Sequence, residues 1–260
     1  MSHGRKGDFK GGFVPEERED LIAGRNAVRE LLKSKKAIDK LYILKNREGM
    51  LTVIYAEALA AGVPVVESDR GVLDRMAAAN QGVIAQIPGR EYATMDDILA
   101  LAAERGEAPF IVIADCVSDP HNLGAIIRTA ECAGCHGVIV PKRRSALLTP
   151  AAVKASAGAV EHVPVCKVAN LSSAIQYLKE NGVWVYALEA DGVDFDTQRY
   201  DGGGVAFVLG SEGDGVSRLV RENSDFVISI PMYGRLNSLN VSTAAAVVLF
   251  KAAAHRHGRG

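Results

Sequence analysis

The chain has 260 residues, 48% hydrophobic and 23% charged, enough apolar content for one large core or two ordinary ones, and two domains are expected. A formal net charge of −1 excludes a globally basic protein, so contact with nucleic acid has to come from local patches. No stretch reaches the ~18 uninterrupted apolar residues of a membrane span, residues 1–12 lack the apolar run of a signal peptide, and the four cysteines suit reduced thiols; a cytoplasmic protein is expected.

Residues 1–20 are poor in apolar side chains and are expected to form a flexible tail. Over 21–90, helical and extended periods alternate. GRNAVRELLKSKK places Val28, Leu31 and Leu32 on one helical face, DKLYILK reads as a strand and GMLTVIYAEALAAG as a helix. VPVVES is extended, DRGVLDRMAAAN helical and GVIAQIP extended, which makes a small α/β domain. Between residues 24 and 47, eight basic residues face two acidic ones, a local +6. RNA capture by Arg25 and Arg29 is one reading of that run, and a solvated helix face is the other. Residues 91–108, containing TMDDILALAAERGE, read as a short helical linker.

From 109 to 260 the pattern becomes strand, loop, helix. PFIVIAD, HGVIVP, VPVC, VWVYALE, VAFVLG and FVISI are short Val/Ile-rich runs, expected as buried strands of a mainly parallel sheet, with Trp184 and Tyr186 packed on it. NLGAIIRTAECAG, TPAAVKASAGAV, LSSAIQYLKENG and GVSRLVRE are the intervening helices. Such sheets bind ligands beyond the carboxyl ends of their strands, so the loops there are the candidates.

Three of those loops carry unusual chemistry. The first, at 119–124, holds Asn122, for which helix capping alone is one sufficient explanation, and leads to Arg128, a cation interrupting an apolar helix that calls for an anionic partner. The second, Gly210-Ser211-Glu212-Gly213-Asp214-Gly215, is glycine-rich, but Glu212 and Asp214 would repel phosphate and no G-x-x-x-x-G-K-S is present, which excludes a triphosphate loop. Glu212 either pairs with Arg128, holds a substrate hydroxyl, or belongs to an acidic turn capping a helix near Val216. The third, within IPMYGRLNSLNVSTAAAVVLF at 230–250, packs Asn237, Ser238, Asn240 and Ser242 between apolar segments. It suits a bound polar ligand, or a helix start capped by Asn240 or Ser242. Lys142, Arg143 and Arg144 follow the strand HGVIVP and suit phosphate contact. The C-x-x-C-H spacing at 132–136 has neither an export signal nor a second cysteine pair, so no haem or metal is expected and its cysteines read as small core residues.

DPHNLGAIIRTAECAG, FVLGSEGDGVSRL and ISIPMYGRLNSLNVSTAAAVVLF resemble, in order, the three motifs of the SpoU (TrmH-type) branch of the SPOUT methyltransferases, over about 110–255. GRNAVRELL near residue 24 is similar to the entry into the substrate domain of ribosomal RNA members. The resemblance implies a mainly parallel α/β sheet with a C-terminal trefoil knot, a feature that general rules of chain threading make very rare. A small α/β RNA-binding domain precedes it. The implied activity is transfer of a methyl group from S-adenosylmethionine to a ribose 2′-hydroxyl of RNA. Carried over by motif, Asn122, Arg128, Glu212, Ser238 and Asn240 form the reaction centre. Leu209, Gly210, Ile230, Met232 and Leu239 hold the cofactor, mostly through backbone. A homodimer is implied, with the helix from Val241 at its interface. A guanidinium holds its proton tightly, so Arg128 is read as the clamp on the adjacent phosphate that polarises the 2′-hydroxyl, while Glu212 or the RNA phosphate takes the proton. The expected substrate is a guanosine of large-subunit ribosomal RNA. Transfer RNA is the alternative within the class, and a non-catalytic RNA-binding or ribosome-assembly factor the alternative outside it.

Overall fold

The computed structural model of the chain describes residues 20–34, 36–88, 91–211 and 213–259. Residues 1–19, on which the expected tail falls, and Glu212 lie outside them. The chain divides into two compact units at residues 87 and 88.

The first unit runs β1 (Leu21–Ala23), α1 (Arg25–Lys33), β2 (Lys40–Leu44), α2 (Met50–Ala60), β3 (Val65–Ser68), α3 (Arg70–Met76) and β4 (Val83–Gln86). Its sheet has the order β1-β4-β2-β3, with β4 antiparallel to both neighbours and β2 parallel to β3. Period-two alternation buries Leu41 and Ile43 on one face of β2. Against them α1 lays Val28 and Leu31, and α2 lays Leu51, Ile54 and Ala58. The basic run in this unit meets acids that lie outside its own window. Arg29 donates to Glu57 from both Nε (3.1 Å) and Nη2 (3.0 Å), Lys45 pairs with Asp69 at 3.2 Å, and Arg47 pairs with Glu67 at 2.8 Å while lying over the Tyr55 ring. Arg25 donates its Nε–H to the Gln81 carbonyl. Much of the local +6 is thus answered within the fold.

The second unit contains α4 (Met95–Glu104), β5 (Phe110–Ala114), α5 (Pro120–Cys132), β6 (Gly137–Pro141), α6 (Pro150–Ala155), β7 (Val165–Val168), α7 (Leu171–Glu180), β8 (Val183–Asp194), β9 (Gly204–Leu209), α8 (Arg218–Asn223), β10 (Phe226–Ser229) and α9 (Val241–Arg256). Its six strands are all parallel, in the order β10-β8-β9-β5-β6-β7. The chain builds outward from β5 through β6 to β7, then returns to the other side of β5 for β8 and β9. The β5/β9 boundary is therefore a topological switch point, where an open parallel sheet leaves a crevice at its carboxyl ends. One face of the sheet packs on α5 and α9, and their Leu123, Ile126, Ile127, Val248 and Leu249 share a core with Phe110, Val112 and Phe207. The other carries Ile175 and Leu178 of α7 with Ile111, Ile113 and Val208. Residues 91–108, expected as a linker, contribute α4, whose Ile98 packs in this second core.

Two elements differ from expectation. β8 extends to Asp194, well past VWVYALE, because β10 pairs with it on both sides of a register shift between Val227 and Ile228. α6 is short, stopped by left-handed backbone at Ala157 and Gly158. Tyr186 is buried against Phe207 and Tyr200 as expected, whereas Trp184 is half exposed beside Phe226.

Two histidines are buried in this unit. His136 accepts the Phe110 N–H on Nδ1 at 3.0 Å and donates from Nε2 to Glu107 at 3.1 Å. Burial first, with help from Arg105 and Arg256 and against the pull of Glu107, lowers its pKa. His255 stacks on Tyr200, its buried Nδ1 has no hydrogen-bond partner among the described residues, and burial lowers its pKa too, aided by Lys251 and Arg199 against Asp201 and Asp196. All four cysteines are free, and among the described residues no cluster could hold a metal.

Candidate active site

Three loops meet at the switch point. The first leaves β5 at Asp115, a buried carboxylate that accepts the Ser217 N–H at 2.7 Å and so ties β5 to the loop after β9. Cys116 follows with φ +58. Burial, then Asp115, pushes its thiol up to about 11, which favours the protonated form at neutral pH. Asp119 then caps α5 by accepting the His121 N–H at 2.9 Å, with Pro120 as first helical residue. The explanation of Asn122 as a helix cap therefore fails. Asn122 lies within the first turn of the helix, and its side chain accepts from Asn240.

The second loop follows β9. Ser211 and Gly215 exchange two backbone hydrogen bonds, and the Ser211 hydroxyl accepts from the Asp214 N–H. This tight return presses its backbone on Gly210, where a Cβ would lie 2.1 Å from the Gly215 carbonyl carbon and 2.3 Å from the Val216 nitrogen. Only glycine fits there.

The third loop, 231–240, is exposed and ends in Asn240, the N-cap of α9. The Asn240 Oδ1 accepts from both the N–H (2.9 Å) and the hydroxyl (2.6 Å) of Ser242, and its Nδ2 donates to Asn122 Oδ1 at 3.1 Å. Capping and a cross-loop contact are thus made by the same side chain.

Two cavities open between these loops. The first, about 330 Å³, is lined by Leu188, Glu189 and Ala190 from β8, by 209–211 and 213–215, and by Ile230, Met232, 237–239, Val241 and Ala244. The second, about 270 Å³, is lined by 116–119 and Asn122 on one side and by Ser211, Gly213, Asp214 and Val241 on the other. Those last four residues also line the first cavity, so the two share a wall.

The sequence-derived residues distribute unevenly over this geometry. Leu209, Gly210, Ile230, Met232 and Leu239 all line the first cavity, and so does Ser238. Asn122 lines the second, with Asn240 bonded to it. Arg128 lines neither. Six residues along a helix turn it about 120° from Asn122, and it is exposed, with no ion pair among the described residues. Lys142 is half-buried and Arg143 and Arg144 are exposed just beyond β6, whereas Arg25 and Arg29 belong to the first unit. Asp115, Glu189 and Asp214 were not singled out as site residues by the sequence, because an acid at a strand end or in a turn has no distinguishing spacing.

The first cavity fits an adenosyl group. Leu188, Leu209, Ile230, Met232 and Leu239 supply apolar walls for a flat ring, strand-end backbone supplies polar groups, and the volume suits a small molecule.

Comparison with known proteins accords with this arrangement. The SpoU rRNA Methylase family matches residues 109–250, and the family described as RNA 2′-O ribose methyltransferase substrate binding matches 21–93. YacO of Bacillus subtilis (strain 168), assigned by name to the TrmH family of tRNA/rRNA methyltransferases, is 42% identical over 238 residues, covering 90% of this chain and 95% of its own. The AdoMet-bound rRNA methyltransferase from Sinorhizobium meliloti is 27% identical with a TM-score of 0.56, over 90% of this chain and 87% of that one. The SpoU methyltransferase AviRb from Streptomyces viridochromogenes, in complex with AdoMet, shares the fold at 21% identity and a TM-score of 0.58, over 92% and 90% of the two chains. With its three motifs converging on paired cavities at a parallel-sheet switch point, the chain belongs to the SpoU (TrmH-type) family of RNA methyltransferases, which use S-adenosylmethionine.

Proposed function

We propose that the chain methylates a ribose 2′-hydroxyl of RNA, with a guanosine of large-subunit ribosomal RNA as the substrate. The observation that carries this reading is the pair of cavities sharing a wall, with the Asn122–Asn240 bond beside it. S-adenosylmethionine supplies an electrophilic methyl group, and the residues around it have to hold an oxygen in line with that methyl and relieve it of its proton. In this reading Asn122, Asn240 and Ser238 orient the ribose. Arg128, which lines neither cavity, clamps the neighbouring phosphate, and Glu212 or that phosphate takes the proton. Leu209, Gly210, Ile230, Met232 and Leu239 hold the cofactor.

Residues 21–90 act as the RNA substrate-binding domain, 91–108 as its connection and 109–260 as the methyltransferase domain. Lys142, Arg143 and Arg144, with Arg25 and Arg29, bind phosphate. The C-terminal segment is threaded as a trefoil knot, and two copies associate through α9, whose Phe250 is half exposed. The enzyme works in the cytoplasm, and no helix among the described residues is long and apolar enough to cross a membrane. The description of the family matched at 21–93 supports the 2′-hydroxyl, and that of the family matched at 109–250 supports ribosomal RNA. The name of YacO couples transfer with ribosomal RNA, which keeps transfer RNA as the second reading.

Mapping ribose methylation across ribosomal and transfer RNA, with and without the gene, tests the proposal. A single lost site in large-subunit RNA is expected. A lost site in transfer RNA would select the second reading, and an unchanged map together with no cofactor binding would select a non-catalytic RNA-binding role.

A further inference from the structure

We propose that Glu189 receives the ribose hydroxyls of the adenosyl cofactor, so that the first cavity recognises its ligand through a side chain as well as through backbone; the proposal rests on S-adenosylmethionine occupying that cavity. Glu189 stands near the carboxyl end of the sheet on β8, between Leu188 and Ala190, and all three line the cavity. Its carboxylate is held in place. Oε1 accepts the Val216 N–H, and both oxygens press on Gly215, whose missing Cβ would lie 2.7 Å and 2.8 Å from them. A solvated surface acid would show neither constraint.

The position in the sheet selects the part of the ligand. Among the described lining residues the carboxylates are Glu189 and Asp214, and only Asp214 is on the wall shared with the second cavity, where the methyl group has to leave. Strand β9 separates β8 from β5, which puts Glu189 about two strand spacings, ~10 Å, from the 116–119 side of the second cavity. Glu189 lines the first cavity and not the second, which suits the adenosyl side of the ligand. A carboxylate offers about four lone-pair sites, of which Val216 takes one, so adjacent hydroxyls on one ribose can both donate to it. The methionine end of the cofactor carries its own carboxylate, which Glu189 would repel. The same side chain then links ligand to loop, because filling its free lone pairs fixes the acceptor on which Val216 and the 211–215 turn depend.

Calorimetric titration of the full chain and of Glu189→Gln with three ligands tests this. S-adenosylmethionine has ribose, sulfonium and amino group, S-adenosylhomocysteine lacks the sulfonium charge, and 5′-methylthioadenosine lacks the amino-acid tail as well. The glutamine keeps a carbonyl for Val216, so the melting temperature should hold while all three ligands weaken by a similar factor of about ten. Weakening of S-adenosylmethionine alone would assign Glu189 to the sulfonium and overturn the proposal. Weakening of the first two only would assign it to the amino group, with the same consequence, and unchanged affinities would also overturn it. Wild-type protein that bound none of the three would overturn the cofactor assignment itself. If Glu189→Gln fails to fold, the same titrations on Glu189→Asp decide, with equal losses across the ligands expected.

Discussion

Asn240 and Asn122 are 118 residues apart in the chain, yet the Nδ2 of one donates to the Oδ1 of the other at 3.1 Å. The donor belongs to the N-cap of α9 and the acceptor to the first turn of α5, and these two helices pack together on one face of the sheet. One amide therefore fixes the start of a helix and joins two loops of the site.

The two jobs can be separated by substitution. Asn240→Asp keeps an oxygen for Ser242 but can no longer donate to Asn122, so the melting temperature should change little while turnover falls about a hundredfold, on the scale of a lost transition-state contact. Asn240→Ala loses the cap as well and should cost about 1 kcal/mol of stability in addition. Turnover assays beside thermal melts distinguish them, and normal turnover in Asn240→Asp would remove Asn240 from the reaction centre.

Arg128 is exposed and lines neither cavity, so changing it should leave the fold and cofactor affinity alone. Arg128→Lys retains charge but loses the planar fork that grips phosphate, and a fall of about ten- to a hundredfold in kcat/KM for RNA is expected. Cofactor titration and RNA kinetics on the same preparation check it. A fall in cofactor affinity instead would place Arg128 in the first cavity.

Phosphate contacts reveal themselves through salt. Replacing Lys142, Arg143 and Arg144 with alanine should flatten the dependence of log Kd on log salt by about one unit for each phosphate contact removed. Replacing Arg25 and Arg29 should flatten it less, because Arg29 already shares its fork with Glu57. Filter binding of ribosomal RNA fragments over a range of salt measures both slopes.

Gly210→Ala places a Cβ against the backbone of Gly215 and Val216, atoms that cannot swing aside. About 1–3 kcal/mol of overpacking is expected, with the distortion confined to the turn lining both cavities. A lower melting temperature together with weaker cofactor binding is the expected signature in calorimetry.

Acid should weaken the second unit through its buried histidines. Burial lowers the pKa of His136 and His255 in the folded state. The unfolded chain therefore takes up protons first, so their contribution is complete above about pH 6.5 and declines as pH falls from there toward the folded-state values. Protonation of His136 would also set an N–H on Nδ1 against that of Phe110. Denaturant midpoints followed downward from pH 8 should be flat and then drop, and His136→Asn, which retains an acceptor for Phe110, should drop less.

The strands of the second unit were readable because buried parallel strands are continuous Val/Ile runs, and the three loops because each interrupts such a run with polar residues. The start of α5 was not. The segment Ser118-Asp119-Pro120-His121-Asn122 holds several residues able to cap, and only the fold shows that Asp119 does so and leaves Asn122 for Asn240. The basic run of the first unit overstated its free charge because Glu57, Glu67 and Asp69, which answer it, come from elements further along the chain. Glu189 was hidden for the opposite reason: in VWVYALEADG it passes as the first solvated residue after a buried strand, and the register shift that extends β8 is a pairing of two segments that neither displays alone.

The wall shared by the two cavities limits how such an enzyme can diversify. Ser211, Gly213, Asp214 and Val241 line both cavities, so on the proposed reading a change there alters donor and acceptor recognition together. On the proposed reading a lineage acquiring a new RNA target has more freedom at 116–119, which line only the second cavity, than at 188–190, Ile230, Met232 and Leu239, which line only the first. Substrate range can drift along one rim while the chemistry behind it stays fixed.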